Sequence, residues 1–234
     1  MAIFYDTSAI STDQTSSPLT WNHTIVAGPN ILLVVGITLA SITSQPSTSA
    51  VTYNGVSMTK ARSDQQGAIS ELLETSVWFL FNPSTGTNQI SATFSGGASP
   101  HAAGSSSSYV GAQKSNTADA SNGTTGTTTG DKTVSVTTVS DNCWIFGVCI
   151  NTSTTSPTAA ADQTSRQNVT LDTTTAGIMR IEDTNQGQTP AGAKTVGFTI
   201  GAGVAELGYS MTFASFAPYS GISFRPSKEV GRIF

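Results

Sequence analysis

Charge is scarce in this sequence. Only 10 Lys and Arg and 14 Asp and Glu occur among 234 residues, a charged share of 10%, against about a quarter in an ordinary globular chain. Coiled coils, helical repeats and charge-driven nucleic-acid binders are built from those four residue types, so all three classes are excluded. The net charge of -4 offers a phosphate backbone no basic footprint, and no nucleic-acid partner is expected.

Long hydrophobic runs are also missing. The most apolar stretch, Ile31 to Ala40, is ten residues long, about half of what a membrane-crossing helix needs. It reads as a buried strand, and no membrane partner is expected. The opening Met1-Ala2-Ile3-Phe4-Tyr5-Asp6 has neither the basic nor the apolar region of a secretory signal, so the expected site of synthesis and assembly is the cytoplasm.

Histidine and cysteine are nearly absent, with two of each. His23 and His101 are the only candidate general bases of a nucleophilic triad, and neither stands in a supporting motif. Both read as structural or surface residues. Cys143 and Cys149 are six residues apart in an apolar run, about 20 Å along a strand, whereas a disulfide needs Cα atoms within about 7 Å. They are expected to be buried free thiols, and with so few ligands a zinc site is not expected.

Carboxylates are too dispersed to define chemistry. Glu71, Glu74, Glu182, Asp183 and Glu206 carry no spacing specific to a glycosidase pair. Asp131, Asp162 and Asp172 lie in polar segments without the alternating pattern of a calcium loop. Gly201-Ala202-Gly203 lacks the strand-to-helix setting of a dinucleotide fingerprint. The chain is therefore read as having no catalytic residues, cofactor or metal.

What is abundant is hydroxyl: Ser and Thr supply 69 positions, beside 22 Gly and 9 Pro. Apolar runs of four to ten residues recur between clusters of Ser, Thr, Asn, Gly and Pro, the pattern of a many-stranded antiparallel protein. No segment keeps a helical period with caps, and Ser and Thr at this density compete for backbone hydrogen bonds. Strands are expected around Leu19–Val26, Ile31–Ser41, Val51–Met58, Glu71–Phe81, Gln89–Phe94, Thr133–Val139, Asn142–Ile150, Gly177–Asp183, Lys194–Ile200 and Ala205–Ala217. Ala103–Ala112, rich in Gly and Ser, is a weaker candidate. Asn54-Gly55 between strand formers is the best hairpin signal. Asn122 to Gly130, nearly free of apolar residues, reads as an exposed loop. Asn142–Ile150 is apolar almost throughout, which places it in the middle of a sheet with both faces covered.

The fold class is all-β, a two-sheet antiparallel β-sandwich of jelly-roll or immunoglobulin-like type. The organisation read from the sequence is an N-terminal segment 1–18, a single sandwich domain 19–220 and a C-terminal arm 221–234. The arm differs from what precedes it. Residues 223–234 hold Arg225, Lys228, Glu229 and Arg232, four of the 24 charges, and end in Ile233-Phe234. Phe224, Arg225, Arg232, Ile233 and Phe234 are the candidate assembly contacts. Among the aromatics, Trp78 and Trp144 sit in apolar runs and read as core; Trp21 is the candidate platform for a sugar ring, with core as its other reading.

The segments Val51-Thr52-Tyr53-Asn54-Gly55-Val56-Ser57-Met58-Thr59 and Val77-Trp78-Phe79-Leu80-Phe81-Asn82-Pro83-Ser84-Thr85-Gly86-Thr87, with Ser95-Gly96-Gly97 after them, resemble a pattern of β-sandwich proteins from bacteriophages and bacterial surfaces. The resemblance spans about Ile31 to Ile150 and implies a structural or binding module without catalytic residues. A polar, weakly charged chain without an export signal suits a phage virion protein, assembled in the cytoplasm and released by lysis. The expectation is a capsid decoration or cement protein, or a head or tail fibre component. Its expected partners are a major capsid or tail protein and further copies of itself, with a trimer preferred by analogy with viral sandwiches. The alternative is a carbohydrate-binding module or lectin-like adhesin for a host-surface glycan.

Overall fold

In the computed structural model the chain is described over residues 1–67, 72–97, 100–128, 130–152, 157–171, 177–199 and 208–221. Among these residues there is no helix, and the strands pair antiparallel throughout. The first half of the chain contributes β1 (Phe4–Ile10), β2 (Leu19–Ile25), β3 (Leu32–Ser41), β4 (Ser47–Tyr53), β5 (Val56–Ser57), β6 (Thr59–Gln66), β7 (Leu72–Phe81), β8 (Gly86–Ser95) and β9 (His101–Val110). The second contributes β10 (Ala120–Gly126), β11 (Lys132–Thr138), β12 (Trp144–Asn151), β13 (Thr158–Ala159), β14 (Thr164–Thr170), β15 (Ile178–Asp183), β16 (Gly192–Thr199) and β17 (Tyr209–Phe216).

The two halves repeat one topology. The first builds the sheets β1-β9-β3-β7-β6 and β2-β8-β4-β5; the second builds β10-β17-β12-β15-β14 and β11-β16-β13. β5 and β6 are separated only by Met58 and count as one strand that changes sheets. Each half is then an eight-strand unit with strand orders 1-8-3-6-5 and 2-7-4, joined in the first half by strand 5 through its β5 portion. The first strand lies beside the last, and the outer sheet is built from strands 2, 7 and 4, which is the jelly-roll arrangement. The expected all-β antiparallel sandwich is borne out, with four sheets in place of two. The repeat divides the chain within 111–119, inside the expected single domain 19–220, and β1, from the segment set apart as 1–18, is an edge of the first five-stranded sheet.

Burial explains the stacking. In β3 alternate side chains enter different cores: Leu33, Val35, Ile37 and Leu39 pack with Trp21, Tyr53 and Ile90 of the β2-β8-β4-β5 sheet, whereas Leu32 and Val34 pack with Phe146, Val148 and Ile181 of the second half. β12 does the same in mirror order, with Trp144, Phe146, Val148 and Ile150 facing the first half and Ile145 and Cys149 packing with Val196 and Phe198. The molecule is a four-layer stack whose two middle sheets are covered on both faces. A strand so placed needs apolar residues at every position, which is why Asn142–Ile150 reads as a continuous apolar run. The middle sheets approach closely, since a methyl on Gly36 would lie 3.0 Å from Val148.

The hydroxyls are not confined to outward strand faces and loops. Many are instead buried in the middle sheets, including Ser105 to Ser108 of β9 and Ser210 and Thr212 of β17. They remain inside because they satisfy one another: Thr75 Oγ1 lies 2.8 Å from Ser210 Oγ and 2.7 Å from Thr212 Oγ1, and Ser8 Oγ lies 2.9 Å from Ser107 Oγ. Small paired hydroxyls remove the penalty of burying a polar group while letting strands pack closely. The weak candidate Ala103–Ala112 is accordingly a well-paired central strand between β1 and β3. Asn122–Gly126, expected as exposed loop, lies in β10 and is held by its ladder to β17; backbone pairing, not side-chain burial, makes it a strand.

The Asn54-Gly55 hairpin is as expected: φ is 49° at Asn54 and 75° at Gly55, and Tyr53 pairs with Val56. Positive φ at both central residues is the geometry that turn demands.

Candidate functional site

Two ion pairs, each within one half, line the seam between the halves and accept hydrogen bonds across it. β14 of the second half lies against β1 and β9 of the first, and β6 of the first lies against β10 and β17 of the second. β6 and β14 occupy equivalent places in the repeat, so the contact is reciprocal. On one side Arg166 forks onto the buried Asp183, Nε to Oδ2 at 2.8 Å and Nη2 to Oδ1 at 2.9 Å, and its guanidinium lies 3.9 Å from the Tyr5 ring centroid. Tyr109 donates to the same carboxylate at 2.8 Å. Burial, followed by the Asp183 charge, holds the Tyr109 phenol well above its ordinary range. On the other side Asp64, paired with Arg62, accepts from Thr212 Oγ1 at 2.7 Å. The hydrogen bonds from Tyr109 and Thr212, with Arg166 over Tyr5, tie one half to the other and present no reactive atom.

The residues singled out in the sequence do not converge. Trp21 is 8% exposed, its ring against Gly104 and its Nε1 donating to Ser106 Oγ at 3.1 Å. As a sugar platform it is corrected to a core residue, because alternation in β2 turns it inward with Leu19, His23 and Ile25. His23 is buried between Ser106 and Thr7, and burial lowers its pKa to about 4 against the raising pull of Asp6. His101 Nδ1 lies 2.7 Å from Asp13 Oδ2 on the surface side of β9. Glu74 is buried in a structural role, accepting from the Thr48 backbone N–H at 2.9 Å and from Gln65 at 3.0 Å. Burial pushes Glu182 up to about 9, with Arg180 opposing and Asp183 adding to the shift. Cys143 and Cys149 are free and buried, and burial, ahead of the Asp119 charge, pushes Cys143 up to about 12. Asp131 and Asp162 belong to no metal-ligand group among the described residues. Glu71, Asp172, Glu206 and the assembly candidates Phe224, Arg225, Arg232, Ile233 and Phe234 lie outside the described residues.

One concave feature stands out, and nothing in the sequence pattern signals it. A groove of about 930 Å³ opens where the N-terminus, the 111–119 connection, the turn after β11 and the segment after β17 meet. Its floor is aromatic: Phe81 of β7 and Phe216 of β17 meet edge to face at 6.5 Å, backed by Phe79 at 5.4 Å from Phe216. Its rim carries exposed apolar side chains, Met1 at 61%, Val139 at 76% and Tyr219 at 40%. The walls are fixed by backbone bonds. Tyr219 N–H donates to Gly111 O at 2.7 Å, the Met1 ammonium to Tyr219 O at 2.7 Å, and Gln113 N–H to Ala217 O at 2.8 Å. Asp119 braces the far wall by accepting from the N–H groups of Val139 and Ser140 at 2.9 and 3.0 Å. The lining mixes apolar with polar side chains, Gln113, Ser115, Thr117, Ser140, Asn142 and Ser220 among them, and its charged groups are Lys114, Asp119, Asp141 and the Met1 ammonium.

No family model, no curated protein and no solved structure matches this chain.

Proposed function

We propose that this chain is a virion structural protein of a bacteriophage, a capsid decoration or cement protein or a head or tail fibre component, which acts by protein–protein assembly and not by catalysis. The observation that carries the reading is the groove at the seam. It has walls held by backbone hydrogen bonds and exposed apolar side chains on its rim, and it lies where the chain leaves β17 toward residues 222–234, whose Phe224, Arg225, Arg232, Ile233 and Phe234 supply the assembly contacts. Exposed apolar surface rimming a groove is the usual mark of a protein interaction site. The jelly-roll order adds fold-level support, since viral capsid modules share it, as do lectins. The resemblance around Val51–Thr59 and Asn82–Thr87 points the same way.

The partners are a major capsid or tail protein and further copies of this chain, with a trimer preferred, and the location is the virion. Mass spectrometry of purified particles tests the reading. The chain should be present, and its absence from particles removes the proposal. Deleting residues 223–234 should abolish binding to preformed capsids; unchanged occupancy would remove the role given to the tail. The carbohydrate-binding alternative loses its platform with Trp21 in the core.

A further inference from the structure

We propose that the seam groove is the receptor for the C-terminal segment, residues 222–234, of a second copy of this chain, so that copies join by inserting arm into groove. The proposal rests on the assembly reading above and identifies the surface that reading needs. Three observations select this occupant.

The first is where the described chain ends. Tyr219 and Ser220 are tied to Gly111 and Gln113, and the chain departs after Gly221 from the groove's own wall. The 13 residues that follow span up to about 40 Å when extended, at ~3.3 Å per residue. A segment of that length is long enough to reach a neighbouring molecule.

The second is chemical match. The segment has three cations and one Glu, +2, whereas the rest of the chain has seven cations against 13 carboxylates, −6, which together give the overall −4. Basic arm and acidic body attract over the molecule as a whole; at the groove itself Lys114 and the Met1 ammonium balance Asp119 and Asp141, and the local match is between Ile233-Phe234 and the apolar surface of Phe81, Met1, Val139 and Tyr219.

The third is extent. Exposed apolar surface continues from Met1 onto the neighbouring edge strand β1, at Phe4 with 59% and Tyr5 with 36% exposure. That is more than one arm covers, and it supplies the body-to-body contact expected beside an exchanged arm. Identical arms passed in one rotational sense form a ring when the rotation closes, as the preferred trimer requires, and an open filament when it does not.

Sedimentation velocity on the purified chain tests this. The wild-type chain should form a concentration-dependent oligomer, and the full-length double variant Ile233→Asp, Phe234→Asp should be a monomer. That variant should bind a fluorescent peptide of residues 222–234, and adding Val139→Asp should weaken the peptide at least tenfold. Excess peptide should also dissociate the wild-type oligomer, a readout that needs no variant. A wild-type chain that stays monomeric, a double variant that keeps its oligomer, or a peptide that binds neither protein would overturn the proposal. These measurements need no particles, so they can fail while the chain is still found in virions, and the reverse.

Discussion

Tyr109 in β9 and Asp183 in β15 belong to different halves of the repeat, and a 2.8 Å hydrogen bond from phenol to carboxylate joins them in the interior. Arg166 completes the contact from the other side of the carboxylate. Removing Asp183 strands a guanidinium whose side chain is only 11% exposed. Asp183→Ala is expected to cost about 3–5 kcal/mol, the usual penalty for breaking a buried pair from one side. Tyr109→Phe, which leaves the ion pair intact, should cost about 1–2 kcal/mol. Urea unfolding of the two variants checks the order; equal losses would mean that the ion pair carries no weight.

A pH dependence follows from Glu182. Its folded pKa of about 9 stands above the ordinary glutamate value of 4.5, so between those values the folded state holds a proton that the unfolded state has lost. Its contribution to stability is complete below the unfolded pKa and disappears as pH rises through the folded one. His23 acts in the opposite sense over a lower window, because its folded pKa of about 4 lies below 6.5; its contribution is complete above 6.5 and shrinks as pH falls toward 4. The chain should therefore lose stability from pH 7 to pH 9, and Glu182→Gln should reduce that loss by ~1 kcal/mol or more. Parallel slopes in urea titrations of the two proteins would refute the assignment.

Trp21 should behave as core. A methyl on Gly104 would lie 2.4 Å from the Trp21 ring, so Gly104→Ala forces the indole aside at a cost of about 1–3 kcal/mol. Trp21→Ala, by opening a cavity, should cost about 3–5 kcal/mol. Thermal melts measure both, and a stable Trp21→Ala variant would contradict the buried position.

Neither thiol should react in the native protein. Cys149 is fully buried in β12, and Cys143, also buried, is pushed up to about 12, so little thiolate exists at neutral pH. Ellman's reagent at pH 8 is expected to label neither cysteine within minutes and both after unfolding in guanidinium. Prompt labelling of the folded chain would be the contrary result.

The strand content was legible because alternation and continuous apolar runs report one-face and two-face burial directly, as in Leu19–Ile25 and Trp144–Asn151. The buried free cysteines followed from their spacing. The repeat was not legible. The halves share a strand order without sharing residues, so Leu32–Ser41 and Trp144–Asn151 fill equivalent central places with different side chains. Ser105 to Ser108 misled for a related reason: hydroxyls read as polar one at a time, yet paired hydroxyls tolerate burial. The groove was invisible because its parts, Met1, Phe81, Val139 and Phe216, are joined only by the fold. Trp21 could have been placed by the parity of β2, where Leu19 and Ile25 share its face.

The four-layer stack also sets an order of events at the ribosome. When residues 1–112 have emerged, the core around Trp21, Val35 and Ile90 can close, because every strand that builds it is present. The opposite face of the same sheet, with Val34, Val77 and Phe79, has nothing to meet until β12, β15 and β17 follow. For that interval the nascent chain displays a flat apolar sheet of the kind that invites association with its neighbours. On a polysome, the second half of the chain is the first half's protection against its own copies.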